Sequence, residues 1–456
     1  EREVQRPRFG TKFRCIHLHL NFHPYVDQPV SRIQNLKPSQ LSWLMPRTVL
    51  RIFSTIQLHS EPLRRAAAQA RACLLALAAQ YLNVKNSEQL TVRAGVVSTL
   101  AGQPDASVSY TQLIAHQHIR LVLDLTAEVK AAEKYTVVGQ SLPRVDIPGK
   151  ATGELTFVHD MRMPGMLHGR VIRPPYAGVD HGEFIGNLLE SVDESSIAHV
   201  PGIRAVVVIR DFIGVVAERE EHAEQAMREL VVYWKPWPGM PDVSDAENAI
   251  RRNPSTARQL INDGDVDQAL SDAAQHLQRT YVWPYQLHAS IGPSCAVAHW
   301  QPPQENGSPF QLRVWAGTQN PHALRADIAL LCGLRDTEVD VVRMEAAGCY
   351  GRNGADDVAA DAALLSKAVG APVRVQWTRE DDLRNSYLHS VAAHRLEAGL
   401  DAKGHVTSWL HRSAYPAIGA TFAPNVTGAE PDELTNGASD IPFDIPNMRV
   451  EICPAV

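Results

Sequence analysis

No apolar stretch in the 456 residues reaches the ~18 needed to cross a bilayer, and the opening segment, Glu1 to Phe9, lacks the apolar centre of a secretion signal. The sequence is thus expected to carry no membrane span and no cellular address of its own. It also lacks any Lys/Arg-rich run, and a net charge of -6 with pI near 6.4 argues against nucleic acid or an anionic membrane as the main partner. Small molecules or other proteins are expected instead. Cysteine is sparse: Cys15, Cys73, Cys295, Cys332, Cys349 and Cys453 show no C-x-x-C spacing, so neither a zinc ribbon nor an iron–sulfur cluster is encoded. Free thiols are the default.

What is present, 45% hydrophobic and 21% charged residues, is enough to bury large cores in two to four domains. Residues 1–55 are basic and broken by Pro24, Pro29, Pro38 and Pro46, and no element is clear in them. On a strand Cys15, His17 and His19 would share a face as a soft metal site, but no further ligand stands nearby at ligand spacing. From Pro62 to Leu82 the residues Leu63, Ala67, Ala70, Leu74, Leu77 and Tyr81 recur at helical spacing and predict a helix with that face in the core. Two short strands around Gly95 and a short helix from Ser109 to Ala115 complete an α+β unit over 56–140. A Pro/Gly-rich junction opens an α/β domain over 144–237, with strands expected at Leu155–Val158, Met166–Ile172, Arg204–Ile209 and Val231–Trp234 and a helix at Glu218–Leu230. Residues 238–264 read as a surface linker, and 265–456 as a last region of alternating strands and helices.

In that region a turn bearing Gly348, Gly351 and Gly354 feeds an alanine-rich helix. Glycines allow left-handed dihedrals and close approach, Asp356 or Asp357 can cap the helix, and its first amides are donors to an anion. The spacing G-x-x-G-x-x-G, with Arg352 and no Lys-Ser/Thr, fits neither a dinucleotide fingerprint nor a Walker loop. By chemistry alone the turn is either structural or an anion cradle. His288, in an apolar run, reads first as structural, and a Cys295–His288 nucleophile lacks any sign that the two meet. Arg379 to Asp382 looks like a charged surface loop.

From about Ser54 to Val456 the chain resembles the large, molybdenum-binding subunit of the xanthine oxidase family, in the branch of isoquinoline 1-oxidoreductase β subunits and membrane-associated aldehyde dehydrogenases. Val145–Glu154 and Gly169–Pro175 resemble the α/β-hammerhead domain; Tyr285–Cys295, Thr318–Pro321 and Gly348–Asp357 resemble segments of the molybdopterin-binding domain. The resemblance implies an α+β, multidomain fold: a hammerhead domain plus an incomplete molybdopterin-binding domain. It implies hydroxylation of an N-heterocycle or aldehyde at a molybdenum–pyranopterin centre, of the cytosine dinucleotide type, with electrons leaving to a separate 2Fe–2S subunit and, in this branch, a cytochrome c subunit. Cofactor contacts carry over to Gln286, Gly348, Cys349, Tyr350, Gly351 and Arg352; Cys349 and Tyr350 depart from the more familiar Gly-Gly-Phe-Gly, and Tyr350 is either pocket wall or core. The family's general-base glutamate sits in a Gly-Glu segment near the full subunit's C-terminus. The pairs here, Gly153-Glu154 and Gly182-Glu183, stand in the hammerhead-like part, so the chain alone is expected not to turn over. The alternative is a non-catalytic remnant or scaffold of the same fold.

Overall fold

The computed structural model describes residues 60–455 apart from 101–105, 116–118, 120, 123, 125, 177–185, 238–241, 243, 253–254, 302–309, 353, 418–427, 430–433 and 435–436. The Cys15–His17–His19 segment and Gly182-Glu183 lie outside the described residues. The chain divides into two compact units that meet at residues 152 and 153.

In the first unit, helix α1 (Ser60–Tyr81) is built mostly of Ala, Leu, Arg and Gln, all strong helix formers. It buries Leu75, Ala78 and Ala79 against a three-stranded antiparallel sheet, β1 (Leu90–Arg93), β2 (Val96–Thr99) and β3 (Ser107–Ser109). The expected stripe is displaced: Leu63 is 60% and Tyr81 66% exposed. Alanine and leucine surround the C-terminal half, so two stripes satisfy the same period there, and the sheet takes the one through Leu75. The N-terminal half is held by polar contacts instead, with Gln69 donating to the Val122 carbonyl and Arg65 to that of Ala127. Helix α2 (Tyr110–Ile114) starts on a capping box made by Ser109 and Gln112, and α3 (Ile147–Thr152) ends the unit.

The second unit is organised on a seven-stranded mixed sheet. It takes β4 (Leu167–Ile172), β6 (Ile203–Ile209) and β7 (Phe212–Ala217) from the stretch 144–237, while β5 (Leu189–Asp193) pairs apart with β8 (Val231–Trp234), which follows α4 (Glu220–Glu229). No strand forms at Leu155–Val158. Val158 is fully buried in a single helical turn and its amide bonds the Glu345 carbonyl, so that run is fixed by one bridge rather than a ladder. Nor is 246–263 a bare linker: α5 (Ala246–Arg252) buries Ile250, and β9 (Arg258–Asp263) is an edge strand. The polar composition that suggested a linker is what a strand with one solvated edge requires.

After α6 (Val266–Ser271), β10 (Gln275–Trp283) and the two-residue β11 (Gln286–Leu287), the other strands of the large sheet follow: β12 (Cys295–Trp300), β13 (Leu312–Ala316), β14 (Val339–Arg343) and β15 (Pro372–Gln376). They complete the order β14-β13-β12-β15-β4-β7-β6. Helix α7 (Pro321–Cys332) links β13 to β14, and α8 (Ala355–Val369) links β14 to β15. Every residue of α8 from Ala355 to Ser366 is buried, its alanines letting it lie close to the sheet. Its Leu365 fills the space above Gly169 and Gly214, where a methyl group would lie 2.7 and 2.6 Å from the leucine methyls. Past α9 (Arg379–Asn385), β16 (Leu388–His389) pairs with β11, and β17 (Ala392–Leu400), β18 (Val406–Pro416) and β19 (Asn447–Ala455) join β10 and β9 in a five-stranded sheet.

Candidate functional site

Strands β13 and β14 run parallel, and β15 is antiparallel to β12 with Gln376 opposite Cys295. The carboxyl ends of β13, β14 and β15 therefore finish at the edge where β12 begins, and α7, α8 and α9 all start there. In sheets of this kind that edge is where ligands bind. The three segments singled out in the sequence meet at it.

Segment 288–294 lies against the glycine turn. The Gly292 amide donates to the Ala347 carbonyl at 2.9 Å, and a methyl at Gly292 would sit 2.5 Å from the Ala347 methyl. A methyl at Gly351 would meet the His288 ring at 2.5 Å. Gln286, two residues before His288, is exposed and pairs through its backbone with His389, so about 7 Å of chain separates it from the contact. Its segment and the turn converge although some 60 residues lie between them.

The third segment brings a residue that sequence pattern alone does not single out. Gln319, in the Thr318–Pro321 loop that starts α7, donates from Nε2 to the Gly351 carbonyl at 3.0 Å. Thr318 and Asn320 on either side are buried. The motif is visible in the sequence, but nothing in the spacing distinguishes its amide from the one at Gln286.

Helix α9 fastens the assembly. Arg379 donates to the carbonyls of Ser290 and Ile291, while the Asp382 carboxylate accepts from the Ser294 hydroxyl at 2.6 Å. That hydroxyl oxygen in turn accepts from the Gly354 amide at 3.1 Å. The expected surface loop at Arg379–Asp382 is thus a helix, because Thr378 and Asp381 form a capping box and Asp382 is buried beneath it.

Tyr350 holds φ at +54° and is 64% exposed, so it is no part of the core; its ring lies over Gly348. A non-glycine residue in that conformation is a local cost that the surroundings must offset. Cys349 points its thiol at the Gly351 carbonyl, 3.2 Å away, and burial raises its pKa, so it stays protonated. Burial pushes the Cys295 thiol up to about 12, so Cys295 supplies no thiolate nucleophile near neutral pH, with or without His288. His288 is kept neutral chiefly by burial, and its ring bonds the backbone of Tyr387. The Arg352 guanidinium stacks 3.8 Å from the Tyr387 ring centroid.

Neither Asp356 nor Asp357 caps α8; the N-cap is Gly354, which has no side chain to offer. Both carboxyls are buried, and burial pushes them up to about 6 and about 7 against the pull of Thr318 and Arg352 on the first and of Arg173 on the second. Asp361 accepts from Arg173 at 2.7 Å and from Trp377 at 2.9 Å. Near neutral pH the first two carboxyls therefore carry less than full charge, and the start of α8 repels an anion less than its sequence suggests. Beside the turn lie the Gln319 carboxamide and the Arg352 guanidinium; among the described residues no cluster of three or more His, Cys, Asp or Glu could hold a metal ion.

The family model of the molybdopterin cofactor-binding domain matches residues 250–455. The chain is 52% identical over 406 residues to one of the subunits of nicotinate dehydrogenase from Pseudomonas putida, covering 88% of this chain and 33% of that one. It is 27% identical over 438 residues to the beta subunit of isoquinoline 1-oxidoreductase from Brevundimonas diminuta, covering 85% of this chain and 54% of that one. Among solved structures, quinoline 2-oxidoreductase of Pseudomonas putida 86 superposes with a TM-score of 0.53 at 16% identity, over 70% of this chain and 44% of that one. Aldehyde oxidoreductase of Desulfovibrio gigas gives 0.54 at 17%, over 69% and 38%. The chain spans between a third and about half the length of these two curated relatives. Motif order, sheet edge and relatives agree, and the chain belongs to the xanthine oxidase family of molybdenum hydroxylases, carrying part of its molybdopterin-binding region.

Proposed function

We propose that this chain forms part of the molybdenum-binding subunit of a hydroxylase that oxidises an N-heteroaromatic compound, with a nicotinate-like ring acid as first choice and an aldehyde as second. The observation that carries the reading is the meeting of Gln319, the 286–294 segment and the Gly348–Gly354 turn at one sheet edge. The donor set fits a molybdenum–pterin group: carboxamides and main-chain amides donate without adding charge, and Arg352 supplies a cation beside them. When bound, that group supplies the two-electron oxidation of the substrate carbon. The chain's own residues bind and orient. The amides of 348–351, Gln319 and Gln286 would face the group, Arg352 would balance its negative charge, and Tyr350 would form a wall over the turn. The cofactor is proposed to be of the cytosine dinucleotide type, residues 144–237 to be the hammerhead domain, and the electrons to pass to a 2Fe–2S subunit and then a cytochrome c.

Molybdenum content by mass spectrometry and pterin content by fluorescence after oxidation test this directly on chain produced in a cell that makes the cofactor. About one molybdenum and one pterin per chain are expected. A folded chain with neither overturns the proposal in favour of a non-catalytic protein of the same fold.

A further inference from the structure

Tyr387 lies between α9 and β16, outside the three segments that converge at the sheet edge, yet three of its groups reach the site. Its ring carries the Arg352 guanidinium at 3.8 Å. Its hydroxyl donates to the buried carboxyl of Asp357. Its backbone bonds the His288 ring, the group that packs against Gly351 and leaves no space for a side chain there. Tyr387 is itself 9% exposed, so its ring is a fixed surface rather than a mobile one.

We propose that Tyr387 is the positioning residue of the cofactor cradle: it holds Arg352 and, through His288, Gly351, so that the turn presents its donors in one fixed arrangement. A guanidinium on a flexible stem loses side-chain freedom when it binds an anion, and stacking on a buried ring removes that freedom beforehand. A planar cation is needed for this, so lysine cannot replace Arg352. The inference rests on the molybdenum–pterin reading of the site.

The test measures molybdenum and pterin per chain in the full chain and its variants, produced side by side. Tyr387→Leu is expected to keep the fold, checked by circular dichroism, and to lower loading roughly tenfold, the loss of a desolvated cation–π contact. Tyr387→Phe keeps the ring and loses only the hydroxyl, so it should load within about twofold of the parent. Arg352→Lys should match Tyr387→Leu, and the double variant should lose no more than either single one, because both remove the same arrangement. Wild-type loading in Tyr387→Leu, failure of phenylalanine to rescue, or losses that multiply in the double variant would each overturn the inference while leaving the proposed function standing. A parent chain without molybdenum overturns the proposed function itself, and this inference with it.

Discussion

A methyl group at Gly351 would collide with the His288 ring, and the φ of +126° there is one that side chains rarely adopt. Gly351→Ala is therefore expected to cost about 2–4 kcal/mol of stability. At Gly370, with φ +64° and nothing within 4 Å of the added atom, the same change should cost only about 1 kcal/mol. Denaturant midpoints decide between them, and equal losses would show that the His288 contact does not constrain the turn. Asp356 gives a second residue-scale expectation. Its carboxyl rises from 3.8 to about 6 on burial, so the folded chain binds more protons than the unfolded one across that interval. The stability linked to it is present below about pH 4 and lost as pH rises through about 6. Asp356→Asn should flatten that decline by on the order of 1–3 kcal/mol, and an unchanged slope in the melting temperature between pH 4 and 7 would refute it. Of the site itself the sequence disclosed the glycines and the motif order. It did not disclose Gln319 or Tyr387, because a carboxamide or a tyrosine carries no local pattern and acquires its role only when distant loops meet.

Helix α8 shows the same limit for a whole element. The alanine-rich run after the turn is readable as a helix, but its burial on every side is not, since two complementary gaps lie in strands about 150 and 200 residues earlier. Leu365→Ala would empty the space above Gly169 and Gly214 and is expected to cost about 2–5 kcal/mol, measured by chemical unfolding. A loss under about 1 kcal/mol would mean that the strands close over the gap. In α1 the period is right and the expected face wrong, because alanine marks a stripe without saying which stripe is chosen. The pair β17 and β18 carries a pH response of the opposite sign to Asp356. The Ser413 hydroxyl lies 2.8 Å from both His394 Nδ1 and His411 Nε2. Burial lowers both imidazoles, His411 to about 4, with the neighbouring His394 adding to the effect. Both stay neutral in the folded chain, so their contribution is present above about pH 6.5 and lost as pH falls towards 4. His411→Gln should soften the acid side of the stability profile, and an acid limb as steep as the parent's would show that other groups cause it.

At the scale of the molecule, the class of fold is legible from the order of the motifs, and the sheet that carries them is not. Local pattern identifies β4, β6, β8 and α4 as elements, but register across a sheet depends on partners that no window of sequence contains. The seven-stranded order sets Leu167 of β4 beside Val373 of β15, roughly 200 residues further along the chain. At a synthesis rate of about 5–20 residues per second, β4 leaves the ribosome about 10–40 s before the strand that completes its inner edge. For that interval the antiparallel trio β4-β7-β6 can form, but one side of β4 and the hollow awaiting Leu365 stay open. Pulse-labelled hydrogen exchange during refolding should then protect the β6–β7 hairpin before β4 and β15 protect each other; simultaneous protection would show that the sheet forms in one step. The nascent chain is thus most exposed to aggregation, and most in need of a chaperone, while the strands that complete its large sheet are still being translated.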